Sequence, residues 1–495
     1  MRDNNSAKGW IITTAIVGII VVLAAIFFYT NFFRQTSGPL IETVPTDAAF
    51  IFEINDNEQF VKTSASLMPY LTDLFALDGL AGYESFLEKM SNREGAILVS
   101  GYVIDNKIVP LFSTRMDEHY FKNLLKLLQI DPRNNITFEG YEIYSYGTHY
   151  KDFKFVFHNN VFSASEDVEL LKKSVVQLKF PKGLANDKTF KQVYKLVEKN
   201  QKQNWLMLNP EKYVEYLNSK TNESFGSLLG AWCNLTTWCA YQVRFSDIEI
   251  FLSGYINTEN EKIQQFGKAL PEGEFPQRVV PITANKLVVI DDANPQALVK
   301  FWDVEGLSDA YQQNDYKRIS PVHSVFFTLQ ADTCSYHYCA LQIDTTVASF
   351  ASFFADSVNV DSMQINTPKS VYLCDILLDF PDLFSATYYY DDYKYMLPVK
   401  DYYVLADTST TLEYYKKVVK NTNYIETGNA FKFAASNTPS DAVWSFTYFN
   451  LDGQLKNAMT PEFARKSTLN DLKIFSISHS VPAQNLVGSN IYLKF

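Results

Sequence analysis

Three groups of side chains in this chain have types and spacing that could do chemistry. The first is Cys334-Ser335-Tyr336-His337-Tyr338-Cys339, a C-x-x-H-x-C arrangement of two thiols and an imidazole. Such ligands suit zinc, but a structural zinc site needs a fourth donor. Cys233 and Cys239, which flank another short loop, could supply it only from a distance. The simpler reading is two short disulfides, Cys233 with Cys239 and Cys334 with Cys339, each stapling a hairpin tip. The fifth cysteine, Cys374, lies in the apolar run VYLCDILL and reads as a core thiol. No metal and no cofactor is expected.

The second group is the tyrosine-rich segment from Tyr388 to Tyr395, YYYDDYKY. It reads as an aromatic hairpin turning at Asp391-Asp392. Tyrosine joins an apolar ring to a hydroxyl and is enriched where partners dock, so Tyr388, Tyr389, Tyr390, Tyr393 and Tyr395 are candidate partner-binding residues. The third group is histidine. His149 and His158 flank an expected strand, and His323 stands alone. No nucleophile elbow, zinc-protease helix, phosphate loop or dinucleotide fingerprint occurs. Triads are defined by geometry, so this removes the easy routes to an enzyme without closing them all.

Stepping outward from these residues, the run from Gly9 to Phe33 carries no charge and is flanked by Lys8 and Arg34. About 20 apolar residues can cross a ~30 Å hydrocarbon layer. The run is too long for a secretory signal and ends in aromatic residues, which favour the membrane boundary. The expectation is a single-pass anchor over residues 9–33, with residues 1–8 as a cytoplasmic stub and 34–43 as a linker. The small excess of cations before the run places the N-terminus inside. The bulk of the chain is then extracytoplasmic, on the inner membrane of a bacterial envelope. Asn135, Asn222 and Asn234 begin sequons that matter only if the source glycosylates secreted proteins.

A formal charge of −11 without a Lys/Arg cluster argues against nucleic acid as a partner. At 47% apolar and 15% aromatic the chain has ample material for a core. Several phrases recur at a shift of about 240 residues. VPTDAAFIFEI from Val44 matches VPITANKLVVI from Val280, and FSASEDVELLKKSVV from Phe162 matches VLADTSTTLEYYKKVV from Val404. TFKQV then WLMLN in one copy answers AFKFA then WSFTYFN in the other, and each copy closes on two strand-like runs, CAYQVRF and EIFLSGYI in the first, KIFSISH and NIYLKF in the second. These predict an internal duplication: two related domains over residues 44–256 and 280–495, joined by a linker at 257–279. Alternating strand-like runs and capped helical stretches at 117–128, 165–178, 187–198, 346–355 and after Asp407 predict an α+β class with mostly antiparallel sheets. Asp105-Asn106-Lys107 reads as a hairpin turn.

The VPTDA phrase, with VPITA as a version lacking the acid, resembles the opening of a bacterial family. Its members carry one N-terminal membrane helix and a large extracytoplasmic region of unassigned function that begins with a Leu-Pro-Ala-Asp-Thr-like phrase. That resemblance implies a membrane-anchored envelope protein and supplies no catalytic residues. Together these features point to a non-enzymatic scaffold or accessory subunit of a cell-envelope complex, tethered by its helix and bound to a protein partner. The alternative is an anchored hydrolase or glycan-binding protein, which would need converging acids or a Ser/His pair.

Overall fold

The computed structural model describes residues 40–74, 95–130, 135–147, 152–179, 183–198, 202–220, 236–257, 278–291, 321–331, 334–343, 372–381, 388–436, 443–451, 467–480 and 486–495. The first half contributes β1 (Phe50–Ile54), β2 (Ile97–Ile104), β3 (Lys107–Arg115), β4 (Ile136–Phe138), β5 (Tyr141–Gly147), β6 (Asp152–His158), β7 (Val161–Ser165), β8 (Trp205–Leu208), β9 (Cys239–Ser246) and β10 (Glu249–Asn257). The second contributes β11 (Ala284–Asp291), β12 (Pro321–Gln330), β13 (Ser335–Ile343), β14 (Tyr372–Pro381), β15 (Tyr388–Val399), β16 (Tyr402–Ala406), β17 (Val443–Asn450), β18 (Ile474–Ser480) and β19 (Leu486–Lys494).

Tight turns set several hairpins. Asp105-Asn106 and Asn159-Asn160 all have positive φ, between 49° and 59°. Two consecutive left-handed residues make the turn whose twist matches paired strands, and short Asx side chains tolerate that backbone. Glu139 and Gly140 do the same between β4 and β5.

Following hydrogen-bonded neighbours, the first half runs β4-β5-β6-β7-β3-β2-β1-β8-β9-β10. The second runs β14-β15-β16-β13-β12-β11-β17-β18-β19. The pairing order of one half is therefore repeated in the other. The two meet where β10 pairs antiparallel with β19 over its full length, from Glu249 opposite Lys494 to Asn257 opposite Leu486. All 19 strands form one sheet.

This corrects the expected α+β class. One large antiparallel sheet dominates, and the described helices are short and few. They are α1 (Asn57–Ser64), α2 (Met68–Leu74), α3 (Glu118–Leu127), α4 (Val168–Lys179), α5 (Lys188–Glu198), α6 (Pro210–Asn218), α7 (Ser409–Asn421) and α8 (Asn429–Ser436). The physical reason is the edge problem. Each half alone would end on a long strand with unpaired backbone, and pairing β10 with β19 satisfies both edges at once.

The single-pass membrane assignment is also corrected. The apolar run at 9–33 lies outside the described residues, and no described helix is long and apolar enough to cross a membrane. The structure thus gives no support to the inner-membrane placement. The expected helix at 346–355 and most of the linker at 257–279 also lie outside the described residues.

Caps follow side-chain chemistry. Asp117 accepts from the Tyr120 amide at the start of α3, and Thr408 from the Thr411 amide at the start of α7. At α4 the cap is Asp167, bonded to the Leu170 amide at 3.0 Å, while Ser165 donates to the Pro110 carbonyl. Helices α4 and α5 cover one face of the first half through Leu171, Val175, Phe190 and Val193. On the equivalent face of the second half, α7 and α8 bury Leu412, Tyr415 and Phe431. The opposite face carries one apolar cluster that spans both halves, from Phe112 and Phe162 through Ile250 and Leu493 to Phe326 and Leu405. Much of the aromatic content is core. Tyr338 and Tyr415 are buried, with their hydroxyls donating to the Thr411 and Val279 carbonyls.

Candidate functional site

The residues singled out by type and spacing do not converge. Cys334 is an exposed free thiol at the start of β13, whereas Cys339 is buried in mid-strand opposite Phe326. Five extended residues separate them by about 16 Å, beyond the ~7 Å between Cα atoms that a disulfide can span. The Cys334–Cys339 staple is therefore excluded: the hairpin turns before Ser335, so Cys334 lies at the entry of β13 and Cys339 within it, on the same side of the turn. Cys233 lies outside the described residues, and Cys239 is buried at the start of β9. Among the described residues no cluster of three metal-binding side chains forms.

The tyrosine segment does not turn at Asp391-Asp392. These residues sit within β15, opposite Leu378 and Leu377. The side chains of Tyr388, Tyr389, Tyr390 and Cys374 lie outside the described set. Tyr393 is fully buried and Tyr395 half-buried, so neither offers an open ring to a partner. His149 is outside the described residues. His158 is buried with its ring 3.9 Å from that of Tyr141. His323 is buried edge-on to Tyr402, and burial lowers its pKa to about 4. His479 faces Ser489 across β18 and β19, but both are sealed in the core, and burial holds the imidazole near pKa 3. That Ser/His pair has no route to a substrate.

What the fold does assemble is a surface on the seam. Because strand side chains alternate faces, the four strands β9, β10, β19 and β18 present cross-strand rows on the face that α4, α5, α7 and α8 cover. One row reads Arg244, Phe251, Tyr492, Ser476, and the next reads Gln242, Ser253, Asn490, Ser478. Apart from Gln242, the residues of these two rows line a shallow hollow that Ala434 of α8 borders, and the space it encloses is about 10 Å³, room for one water-sized group. Helix α5 packs on β9 and β10, on one side of it. On the other, α8 leans Phe433 onto Phe251 and Tyr492, with ring centroids 5.8 and 5.4 Å apart. Phe433 is 41% exposed. Phe251 and Tyr492 themselves stack at 5.1 Å.

The polar groups here are arranged unevenly. Ser253 Oγ donates to Asn490 Oδ1 at 2.6 Å. Glu249 Oε1 accepts from both the Tyr492 hydroxyl and Lys494 Nζ at 3.0 Å. Burial, followed by this bond to Glu249, raises the Tyr492 pKa and keeps it a donor. Arg244 is exposed, its guanidinium 5.9 Å from the centroid of the Phe251 ring. Sequence reading recognised β10 and β19 as strand-like runs. It could not find this surface, because the rows depend on a register between segments far apart in the chain.

No family model and no characterised protein sequence matches the chain. Solved structures with a partial likeness include three crystal forms of TP0453. Form IV is 10% identical with a TM-score of 0.28, covering 48% of this chain and 87% of that one. Form I is 9% identical with a TM-score of 0.28, covering 46% and 81%. Form III is 10% identical with a TM-score of 0.27, covering 45% and 81%. Likeness at this level carries no functional argument.

Proposed function

We propose that the chain is a non-catalytic binding protein, with the 19-stranded sheet as a stiff frame and the β10–β19 seam as its docking surface. The observation that carries this reading is the aromatic group of Phe433, Phe251 and Tyr492 beside the exposed guanidinium of Arg244, which pairs with no carboxylate among the described residues. Aromatic rings and arginine supply most of the energy where proteins dock, because they bury large area at small entropic cost. Both halves contribute: Arg244 and Phe251 come from the first, Phe433 and Tyr492 from the second. The surface thus requires the halves to be joined.

The test is a photo-crosslinking residue at position 433, with position 127 on α3 as a control that is still more exposed. A discrete crosslinked partner at 433 and none at 127 supports the reading. Equal, diffuse labelling at both positions overturns it.

A further inference from the structure

We infer that the seam seats a carboxylate presented by a partner polypeptide, with Arg244 as the receiving cation. This rests on the docking reading above and adds the chemistry of what docks. Hydrogen-bond accounting favours an acid. Ser253 uses its proton on Asn490 Oδ1, which leaves the two N–H groups of the Asn490 amide unassigned. Arg244 carries five N–H donors, and no carboxylate among the described residues forms an ion pair with it. The acid beside it on the same face, Glu249, has Oε1 held by Tyr492 and Lys494. Within β9, β10, β18 and β19, Arg244 and Lys494 against Glu249 leave one positive charge uncompensated among the described residues, next to donors from Asn490, Ser476 and Ser478.

An ionised acid engages the Arg244 guanidinium more strongly than a neutral sugar hydroxyl does, because both partners then carry charge. Guanidinium and carboxylate match as a two-pronged, charge-assisted pair. The hollow is too shallow to enclose a whole small molecule. It suits a head group whose carrier continues outward over Phe433. An Asp or Glu side chain next to an aromatic or aliphatic residue has that form. Arg244 lies over Phe251, so its planar group is held in place before the acid arrives, which lowers the entropy lost on binding.

The experiment uses the full chain and two fluorescein-labelled peptides, one alternating Phe and Glu, the other with Gln for each Glu. Fluorescence anisotropy is expected to show the Glu peptide binding at least about tenfold tighter. Arg244→Gln should remove most of that difference, Arg244→Lys should keep part of it, and Phe433→Ala should weaken both peptides alike. Equal affinity for the two peptides, or indifference to Arg244→Gln, overturns the carboxylate assignment. If both peptides bind equally and still suppress crosslinking at 433, the docking surface stands and only the acid chemistry falls. If neither peptide binds and no partner crosslinks at 433, both readings fall.

Discussion

Ser253 and Asn490 are the central residues of β10 and β19, and they face each other across the seam with a 2.6 Å hydrogen bond. Equivalent strands of the two halves thus meet at their midpoints, as in an isologous dimer interface built within one chain. Next to this pair, two glycines leave no room for a side chain against the flanking strands β9 and β18. A Cβ on Gly254 would lie 1.9 Å from the Ala240 carbonyl oxygen, and one on Gly488 would meet the Ser480 hydroxyl at 2.1 Å.

Those two contacts are expected to differ in consequence. Gly254→Ala strikes backbone, which cannot step aside, and should destabilise by about 3 kcal/mol or more. Gly488→Ala strikes a side-chain oxygen that can rotate away, and should cost about 1 kcal/mol. Denaturant titration of the two variants checks the order, and equal losses would mean that the β9 and β10 backbones are less closely packed than described.

A second link joins the halves. Asp73 on α2 accepts hydrogen bonds from the Thr468 amide, from Thr468 Oγ1 at 2.6 Å and from Ser467 Oγ at 3.2 Å. Beside it Tyr70 stacks on Phe495 at 4.1 Å. Asp73→Ala should cost about 2 kcal/mol, because it removes the acceptor of a backbone amide and two hydroxyls at once. Asp73→Asn, which keeps one acceptor oxygen, should fall between. Chemical denaturation gives the three values directly.

Acid should weaken the fold through two histidines. His323 and His479 have folded pKa values of about 4 and about 3, below the ordinary 6.5. With depressed folded values the unfolded chain takes up protons first. Their contribution is intact above pH 6.5 and is lost as pH falls toward 4, on the order of 3 kcal/mol for each. His323→Phe should flatten the fall in melting temperature between pH 6.5 and 4.5 while preserving the edge contact with Tyr402. An unchanged pH profile would show that His323 is solvated in the folded chain.

Tyr393 and Tyr395 separate core from surface within the tyrosine segment. Tyr393→Ala should destabilise by about 3–5 kcal/mol, as for a fully buried ring. Tyr395→Ala, half-buried, should cost about 1–2 kcal/mol. Comparable small losses, read by thermal melts, would mean that Tyr393 is exposed.

Local chemistry was legible in the sequence where it is decided locally. The Asp105-Asn106 turn, the capping of α3 by Asp117 and the strand character of EIFLSGYI and NIYLKF follow from side chains within a few residues. The joining of β10 to β19 was not legible, because nothing in either strand states its partner across more than 200 residues of chain. Residue type alone also misled. Cys334 and Cys339 resemble a staple until their strand is seen to be extended, and YYYDDYKY resembles a hairpin until Asp391 and Asp392 are seen opposite Leu378 and Leu377. The seam surface draws on four strands and a helix, so no short motif announces it.

The seam surface depends on the two halves sharing one sheet, and amide hydrogen exchange across β10 and β19 tests that most directly. If the seam is a continuous ladder, amides of Ile250–Ile256 and Val487–Leu493 should exchange as slowly as those of β2 and β12. Rapid exchange in both strands, with β9 and β18 still protected, would mean that each half ends in an open edge and that no joint surface exists.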